Sequence, residues 1–304
     1  MEKILAVCLN PTFQRTMVFD NFLVGEVNRS ANYRLDASGK GVNVARIVAQ
    51  LGGKAIHLTH LGSNRINEFI EMLKDDNIEL YWSDSKSKIR TCTTIYNLAD
   101  RTTTELVEEP EAVDPSTEKL IIEQFHKALA ESATMTISGT RSPGYSPTLY
   151  SDFVKIAKEQ GKRVLLDVKG DDLVNSLPYG VDFIKPNLSE FAATFLKDLT
   201  VLEQEDSQEI KDKVVAKMAE LYRSYGCSIM LTRGAFDVWL YANGEFHELP
   251  VKRVEPLNTI GCGDATTAGI AYGLTKGESL MESVKIGLAA GAANAQTLRP
   301  GSII

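Results

Sequence analysis

Short apolar runs alternate with amphipathic segments along nearly the whole chain of 304 residues. The apolar runs have the length of buried strands, whereas Val44, Ile47, Val48 and Leu51, ahead of Gly52, recur at helical spacing. The predicted strands cover residues 4–9, 55–61, 134–137, 163–168, 183–184 and 228–231. This order predicts an α/β fold of three layers, in which helices cover both faces of a mostly parallel central sheet. Ligands of such sheets bind at the carboxyl ends of the strands.

Two segments interrupt this alternation. Residues 16–33 and 90–107 are rich in Thr, Val and Tyr and have no helical period, and the second contains a turn at residues 99–101. We expect a small β lid over a ligand site, formed by residues of about 12–36 and 88–108. The alternative is that both segments are edge strands of the main sheet. Because no break in composition marks a second domain, we predict a single domain over residues 1–304.

Composition and charge narrow the function classes. A net charge of -7 argues against a broad surface for nucleic acid or anionic lipid, so phosphate binding would have to be local. The first apolar run is too short to span a membrane and lacks the features of a secretory signal, so we expect a cytoplasmic protein. The four cysteines and four histidines are scattered, which disfavours a disulfide framework or a zinc site. A metal would be a hard cation that accompanies a phosphate.

The most informative motif lies at residues 258–269. Gly261, Cys262 and Gly263 precede Asp264 and a run of small, helix-compatible residues, which predicts a tight turn that opens a helix. Backbone N–H groups at such a turn, together with the helix dipole, form a site for phosphate. Asp264 could then accept a proton from an attacking hydroxyl, as phosphoryl transfer requires. The alternative is an aspartate that only caps the helix.

A second glycine cluster, Ser38, Gly39, Lys40, Gly41 and Val42 followed by an asparagine, precedes the first amphipathic helix. It matches neither the Walker A pattern nor the dinucleotide pattern of glycines. Exposed glycine backbone beside an amide side chain suits hydrogen bonding to a polyhydroxylated ligand.

Together the two clusters resemble the signatures of the ribokinase-like (PfkB) carbohydrate kinases, and the match extends along the whole chain. The branch that contains 1-phosphofructokinase and tagatose-6-phosphate kinase is the most similar, through the motifs at 9–11, 27–29, 138–139 and 185–190. The resemblance implies a kinase that uses ATP and Mg²⁺ and phosphorylates a hydroxyl of a ketohexose phosphate.

The resemblance also implies a role for each matched position. The catalytic set is Asp264 as base with Gly261, Cys262 and Gly263 as the anion hole. The acceptor set is Gln14, Arg29, Ser38, Gly39, Lys40, Asn43, Arg90, Ser138 and Gly139, with the two arginines against the phosphate of the sugar. The nucleotide set is Lys185, Asn187, Glu190, Thr232, Gly234, Gly291 and Asn294, of which Asn187 and Glu190 would reach Mg²⁺ indirectly, through phosphate or water.

Two departures from the family pattern fall in the acceptor set. Gln14 stands where the branch has an aspartate, and Ser38 stands where the family has the first glycine of its pair. Two alternatives therefore stay open: a kinase for an unphosphorylated sugar or a nucleoside, and a sugar-phosphate sensor of low activity. We expect a homodimer through the lid, because unpaired strand edges seek partners.

Overall fold

The computed structural model describes residues 2–304, which form two β-sheets and nine α-helices. The strands are β1 (Lys3–Val7), β2 (Thr12–Phe19), β3 (Asn32–Ser38), β4 (Lys54–Leu61), β5 (Ile78–Asp84), β6 (Arg90–Asn97), β7 (Thr102–Val107), β8 (Ser132–Ser138), β9 (Arg163–Asp167), β10 (Phe183–Ile184), β11 (Ser228–Arg233), β12 (Phe236–Ala242) and β13 (Glu245–Leu249). The helices are α1 (Lys40–Gln50), α2 (Ile66–Glu71), α3 (Thr117–Ala130), α4 (Leu149–Glu159), α5 (Asp171–Ser176), α6 (Leu188–Phe195), α7 (Gln208–Tyr225), α8 (Cys262–Lys276) and α9 (Leu280–Asn294).

The main sheet has nine strands in the order β13-β12-β11-β10-β9-β8-β1-β4-β5. Every neighbouring pair is parallel except for β11 with β12 and β12 with β13, which are antiparallel. The parallel strands therefore end at one common edge, where the loops that follow β1, β8, β9 and β10 meet.

Helices cover both faces of this sheet, because alternate side chains of a strand point to opposite faces. Leu5 and Val7 of β1 belong to one core with residues of α3, α4, α6 and α7. Ile4 and Ala6 belong to a second core with residues of α1, α8 and α9. The predicted three-layer architecture with a mostly parallel central sheet is confirmed.

Helices α8 and α9 pack against each other through small residues. A Cβ atom on Gly269 would lie 2.6 Å from the Cα of Gly287, and one on Gly287 would lie 2.6 Å from the carbonyl oxygen of Thr266. Both distances are far shorter than any ordinary carbon contact. The two helix backbones are therefore in direct contact, which fixes the position of α8 on the sheet.

The second sheet has four strands in the order β3-β2-β6-β7. It is formed by the two segments that interrupt the alternation in the sequence, and its strands are not paired with the main sheet. The interpretation as edge strands of the main sheet is therefore wrong. The predicted turn at residues 99–101 joins β6 to β7, whereas the middle of the first segment, residues 20–31, forms a loop without strands. Within residues 2–304, no helix is both long enough and apolar enough to cross a bilayer.

Candidate active site

A cavity of about 600 Å³ lies at the carboxyl edge of the main sheet, between this edge and the four-stranded sheet. Its lining comes from the loops after β1, β8, β9 and β10, from the first turns of α1 and α8, and from β2, β3, β6 and β7. The predicted site residues that line it are Gln14, Ser38, Gly39, Lys40, Asn43, Arg90, Gly139, Asn187, Glu190, Gly261, Gly263 and Asp264. Residues separated by more than 200 positions in the chain thus meet in one cavity.

The first turn of α8 borders the cavity. Gly261 precedes the helix with a positive φ of 87°, a conformation that favours glycine, and no side chain caps the helix. Gly261 and Gly263 line the cavity, whereas Cys262 does not: its N–H donates to the carbonyl of Thr259 at 3.3 Å. The uncapped turn presents the positive end of the helix dipole to the cavity, which suits an anion.

Asp264 projects into this cavity from the first turn of α8 and is only 5% exposed. The side-chain amide of Asn43 donates a hydrogen bond of 2.8 Å to its Oδ2. Burial raises the pKa of Asp264 to about 6; Lys40, Asn43 and Lys185 oppose this shift, whereas the charge of Asp167 adds to it. The carboxylate is therefore ionised at neutral pH, with a basicity well above that of an exposed aspartate.

Asp167, the last residue of β9, lies between two lysines. Its Oδ2 is 3.4 Å from the ammonium nitrogen of Lys40 and 3.4 Å from that of Lys185. Burial alone would raise the pKa of Asp167, but Lys185 and Lys40 outweigh burial and hold the pKa below its ordinary value. A Cβ atom on Gly263 would lie 3.4 Å from the ammonium of Lys185, so this cation stands beside the first turn of α8. The two ammonium groups favour anionic ligands here.

On the side of the four-stranded sheet, Gln14 is 2% exposed and donates a hydrogen bond of 2.7 Å to Thr94. This bond occupies one amide hydrogen of Gln14. Arg90, at the start of β6, donates to the carbonyl of Glu108 at 3.2 Å, and its buried Nε has no partner within the described residues. Donors of an otherwise unpaired guanidinium are suited to an anionic group in the cavity.

Two residues of the predicted acceptor set do not line the cavity. Arg29 is exposed on the loop of residues 20–31 between β2 and β3. Ser138, the last residue of β8, is fully buried, and its hydroxyl has no hydrogen-bond partner within the described residues. Their assignment to the acceptor stays a prediction.

Asn187 and Glu190 form a capping box at the start of α6. The side chain of Asn187 accepts from the N–H of Glu190 at 2.7 Å, and Glu190 Oε2 accepts from the N–H of Asn187 at 3.1 Å. Glu190 Oε1 lies 3.6 Å from the ammonium of Lys169. Because these oxygens already have partners, they suit a metal ion that is reached through water or phosphate.

The remaining residues of the nucleotide set lie outside the cavity lining. Thr232 is paired with Asn187 in an isolated parallel bridge, which places it next to the capping box. Asn294 is fully buried and donates to the carbonyl of Ile260 at 2.9 Å.

A Cβ atom on Gly291 would lie 2.6 Å from the hydroxyl of Thr266, so this glycine permits close helix packing. A Cβ atom on Gly234 would lie 3.2 Å from the side chain of Gln204, in the loop ahead of α7. Their nucleotide role stays a prediction.

Sequence reasoning missed several residues of the lining. Asn10, Thr140, Lys169, Asp172, Glu105, Glu203 and Asp167 belong to this group. The signal for Asp167 was available, because an acidic residue within a predicted buried strand, at its carboxyl end, is expected at the ligand edge of a parallel sheet. Glu105 and Glu203 belong to an exposed strand and a loop, for which the sequence contains no comparable signal.

Comparison with known proteins agrees with this geometry. The chain is 27% identical over 302 residues to a tagatose-6-phosphate kinase of Staphylococcus epidermidis, a match that covers 99% of this chain and 94% of that protein. The fold is similar to that of phosphofructokinase-2 from Escherichia coli in complex with fructose-6-phosphate, with a TM-score of 0.84, 22% identity and coverage of 97% and 94%. It is also similar to a protein of Thermotoga maritima described as a possible 1-phosphofructokinase, with a TM-score of 0.82, 19% identity and coverage of 98% and 93%.

The family model described as pfkB family carbohydrate kinase matches residues 9–303. This match spans both glycine clusters, both sheets except for β1, and all of the cavity lining except for Cys8. It confirms the family and the reaction class expected from the two sequence signatures, a phosphotransferase that acts on a sugar hydroxyl. The chain therefore belongs to the pfkB family of carbohydrate kinases.

Proposed function

We propose that this chain transfers the γ-phosphoryl group of ATP to a hydroxyl of a ketohexose phosphate, with Asp264 as the general base. One observation carries the proposal: a buried carboxylate, at an uncapped helix N-terminus, faces a cavity that also contains Lys40 and Arg90. A base, an anion site and cations for two phosphate-bearing ligands are thereby combined.

The elevated pKa of Asp264 supports its role as base. A carboxylate with a pKa of about 6 is ionised at neutral pH and still accepts a proton more readily than an ordinary aspartate. As the proton leaves the sugar hydroxyl, negative charge on the migrating phosphoryl group is stabilised by the first turn of α8 and by Lys185 and Lys40. Positioning and charge matter most in such a reaction, because the transition state is loose.

Magnesium fits the site as a companion of the nucleotide phosphates. Within residues 2–304, no cluster of three or more His, Cys, Asp or Glu side chains could hold a metal ion by itself. Glu190 and Asn187 provide hard oxygen atoms, of the kind that Mg²⁺ prefers, but these atoms are engaged in the capping box. When bound with ATP, the ion would neutralise phosphate charge, and the two residues would hold it through water or phosphate.

The acceptor is inferred from the relatives and from Arg90. Among the similar proteins are a tagatose-6-phosphate kinase and a phosphofructokinase-2 in complex with fructose-6-phosphate. Arg90 has an unpaired, buried Nε at the four-stranded sheet, where the phosphate of such an acceptor would fit. Arg29 could contribute only if its exposed loop moved towards the cavity or reached the site of a second copy.

The proposal includes a homodimer through the four-stranded sheet and a cytoplasmic location, where ATP is available. Exposed apolar side chains on this sheet and its loop support the dimer; they are Leu23, Val24, Val27, Tyr33, Leu98, Leu106 and Val107. An apolar surface of this kind suits contact with a second protein surface.

The direct test is ADP release with Mg²⁺ and ATP across tagatose 6-phosphate, fructose 1-phosphate, fructose 6-phosphate and the two free sugars. We expect one ketohexose phosphate to exceed its free sugar in kcat/KM by about 100-fold or more, because an unfilled phosphate site leaves charged groups unpaired. Arg90→Ala should lower kcat/KM for the phosphate ester by about 10- to 100-fold and change that for the free sugar little.

Arg15→Ala is the matched control, because Arg15 is an exposed arginine of β2, in the same sheet, that does not line the cavity. A free sugar or a nucleoside as the best acceptor would contradict the choice of substrate. Tight binding of a sugar phosphate in calorimetry, without ADP release, would instead favour the sensor.

A further inference from the structure

The side chain of Asn43 is confined by its neighbours. It is 3% exposed and lies in the first turns of α1. A Cβ atom on Gly301 would lie 2.5 to 2.6 Å from the Cβ, Cα and Oδ1 atoms of Asn43, so the backbone of the C-terminal turn packs directly against it. The main freedom that remains to this side chain is a half-turn of its amide plane, which exchanges the oxygen and the nitrogen.

The two ends of this amide have different partners. Nδ2 donates to Oδ2 of Asp264 at 2.8 Å, and Oδ1 accepts from the hydroxyl of Ser38 at 3.0 Å. Ser38 ends β3 and is 2% exposed, so this bond is largely shielded from solvent. Two hydrogen bonds therefore connect the three side chains in series: Ser38 donates to Asn43, and Asn43 donates to the carboxylate of Asp264. We call these two bonds the donor chain.

We propose that Ser38 is a positioning residue: its hydroxyl holds the amide of Asn43 with the NH₂ group, and not the oxygen, towards the carboxylate of Asp264. This inference rests on the proposed role of Asp264 as base. In the reversed orientation, the amide oxygen would face the carboxylate, which is repulsive unless Asp264 is protonated. The hydroxyl hydrogen of Ser38 would then lack an acceptor, because Asn43 is the only partner of this hydroxyl within residues 2–304.

The orientation matters because a hydrogen bond to the ionised form favours ionisation. Burial raises the pKa of Asp264, and the bond from Asn43 acts in the opposite direction. The other charged or titratable groups around the carboxylate are Lys40 of α1, Asp167 of β9, Lys185 after β10, Cys8 after β1 and Cys262 of α8. None of these five groups belongs to the donor chain, so Ser38 acts on the carboxylate only through Asn43.

The proposal assigns a function to Ser38, which stands where the family pattern has a glycine. A glycine has no hydroxyl, so the family pattern leaves the amide without this constraint. In this chain the additional hydroxyl orients the amide that touches the base, which differs from the direct acceptor contact that the family resemblance implies for the position.

The test compares Ser38→Ala with Ser132→Ala. Ser132 is likewise a buried serine with one hydrogen bond from its hydroxyl, to the carbonyl of Leu129, but it lies at the amino end of β8, away from the cavity. The readouts are the pH dependence of kcat, the KM for the sugar phosphate, and a ¹³C NMR titration of the Asp264 carboxyl, assigned with Asp264→Asn.

For Ser38→Ala we expect the acidic limb of the kcat profile and the NMR titration midpoint to move to higher pH, by about 0.3 to 1 unit. The KM should change less than twofold, and Ser132→Ala should leave the limb and the midpoint unchanged. An unchanged midpoint with a raised KM would show that Ser38 contacts the acceptor directly and would overturn the proposal. An unchanged midpoint and KM would also overturn it.

The two hypotheses fail separately in this experiment. If the parent protein has no kinase activity, the proposed function is wrong, whereas the NMR titration still measures the effect of Ser38 on Asp264. If the parent is active and the midpoint of Ser38→Ala is unchanged, only the positioning role is wrong.

Discussion

The two walls of the cavity are built differently. On the wall of the main sheet, α8 carries Asp264 and is fixed by backbone contact with α9, where Gly269 and Gly287 leave no space for a side chain. On the opposite wall, all six residues of β7 are exposed, and this strand ends the four-stranded sheet with an outer edge that has no partner strand within residues 2–304. The proposed base thus lies on the tightly packed wall, whereas the edge of the opposite wall is exposed.

The largest expected effect is on the packed wall, at the proposed base Asp264. Asp264→Asn should lower kcat by at least about 100-fold, because the amide cannot accept the proton. It should not destabilise the fold at pH 8. Since the pKa of Asp264 in the folded state is about 6, above its ordinary value of 3.8, the ionised form is disfavoured by folding. The parent should therefore lose stability as pH rises from 4 through 6, and the neutral variant should become more stable than the parent by up to about 3 kcal/mol.

Steady-state kinetics at saturating substrate and urea unfolding at pH 4 and pH 8 measure these two effects. A variant with parental kcat would remove Asp264 from the chemistry. A variant that is less stable than the parent at pH 8 would contradict the assigned cost of burying this charge.

An intermediate effect is expected from the contact between the helices. Gly287→Ala places a Cβ atom 2.6 Å from the carbonyl oxygen of Thr266 and 2.7 Å from Cγ1 of Ile270. Separating the helices should cost about 1 to 3 kcal/mol of unfolding free energy and should also lower kcat, because α8 carries the proposed base. Ala289→Ser, on the exposed face of α9, is the control and should change both quantities little. Urea unfolding that is unchanged in Gly287→Ala would show that this wall is as tolerant as the other.

The smallest effect on folding is expected at the exposed wall. Leu106 of β7 is 54% exposed, so Leu106→Asp should change the free energy of unfolding by less than about 0.5 kcal/mol. If this edge is the dimer interface, the same variant should become monomeric in analytical ultracentrifugation, since a buried charge would be left unpaired. Leu120→Asp is the control, because Leu120 is 40% exposed on α3, outside the sheet. A parent that is itself monomeric, or dimers that persist in Leu106→Asp, would exclude this interface.

The pattern of apolar and polar residues alone predicts the strands of the main sheet that are buried on both faces. All six predicted strands are present in the main sheet, because a parallel strand covered on both faces is mostly apolar. Strands β5, β12 and β13 were not predicted; they form the two ends of this sheet and contain polar or partly exposed residues, so their periodicity is weaker.

The residues of the candidate site that lie in short sequence motifs could be predicted more readily than residues outside such motifs. Asp264 and Asn43 stand in glycine clusters and were predicted, and they meet at 2.8 Å. Asp167 stands in no motif, and only the tertiary structure shows that it lies between Lys40 and Lys185. The family motif identifies Arg29 as a candidate but does not predict where it lies in space, because Arg29 belongs to a loop without strands.

The turn at Gly301 has a consequence for substitutions made outside the cavity lining. Its backbone lies against Asn43, and a Cβ atom on Gly261 would meet the N–H nitrogen of Gly301 at 2.7 Å, so this late turn supports both glycine clusters. Gly301 does not line the cavity, yet a side chain at this position would collide with Asn43. A substitution of Gly301 should therefore disturb the hydrogen bond between Asn43 and Asp264 without removing any group that faces the cavity.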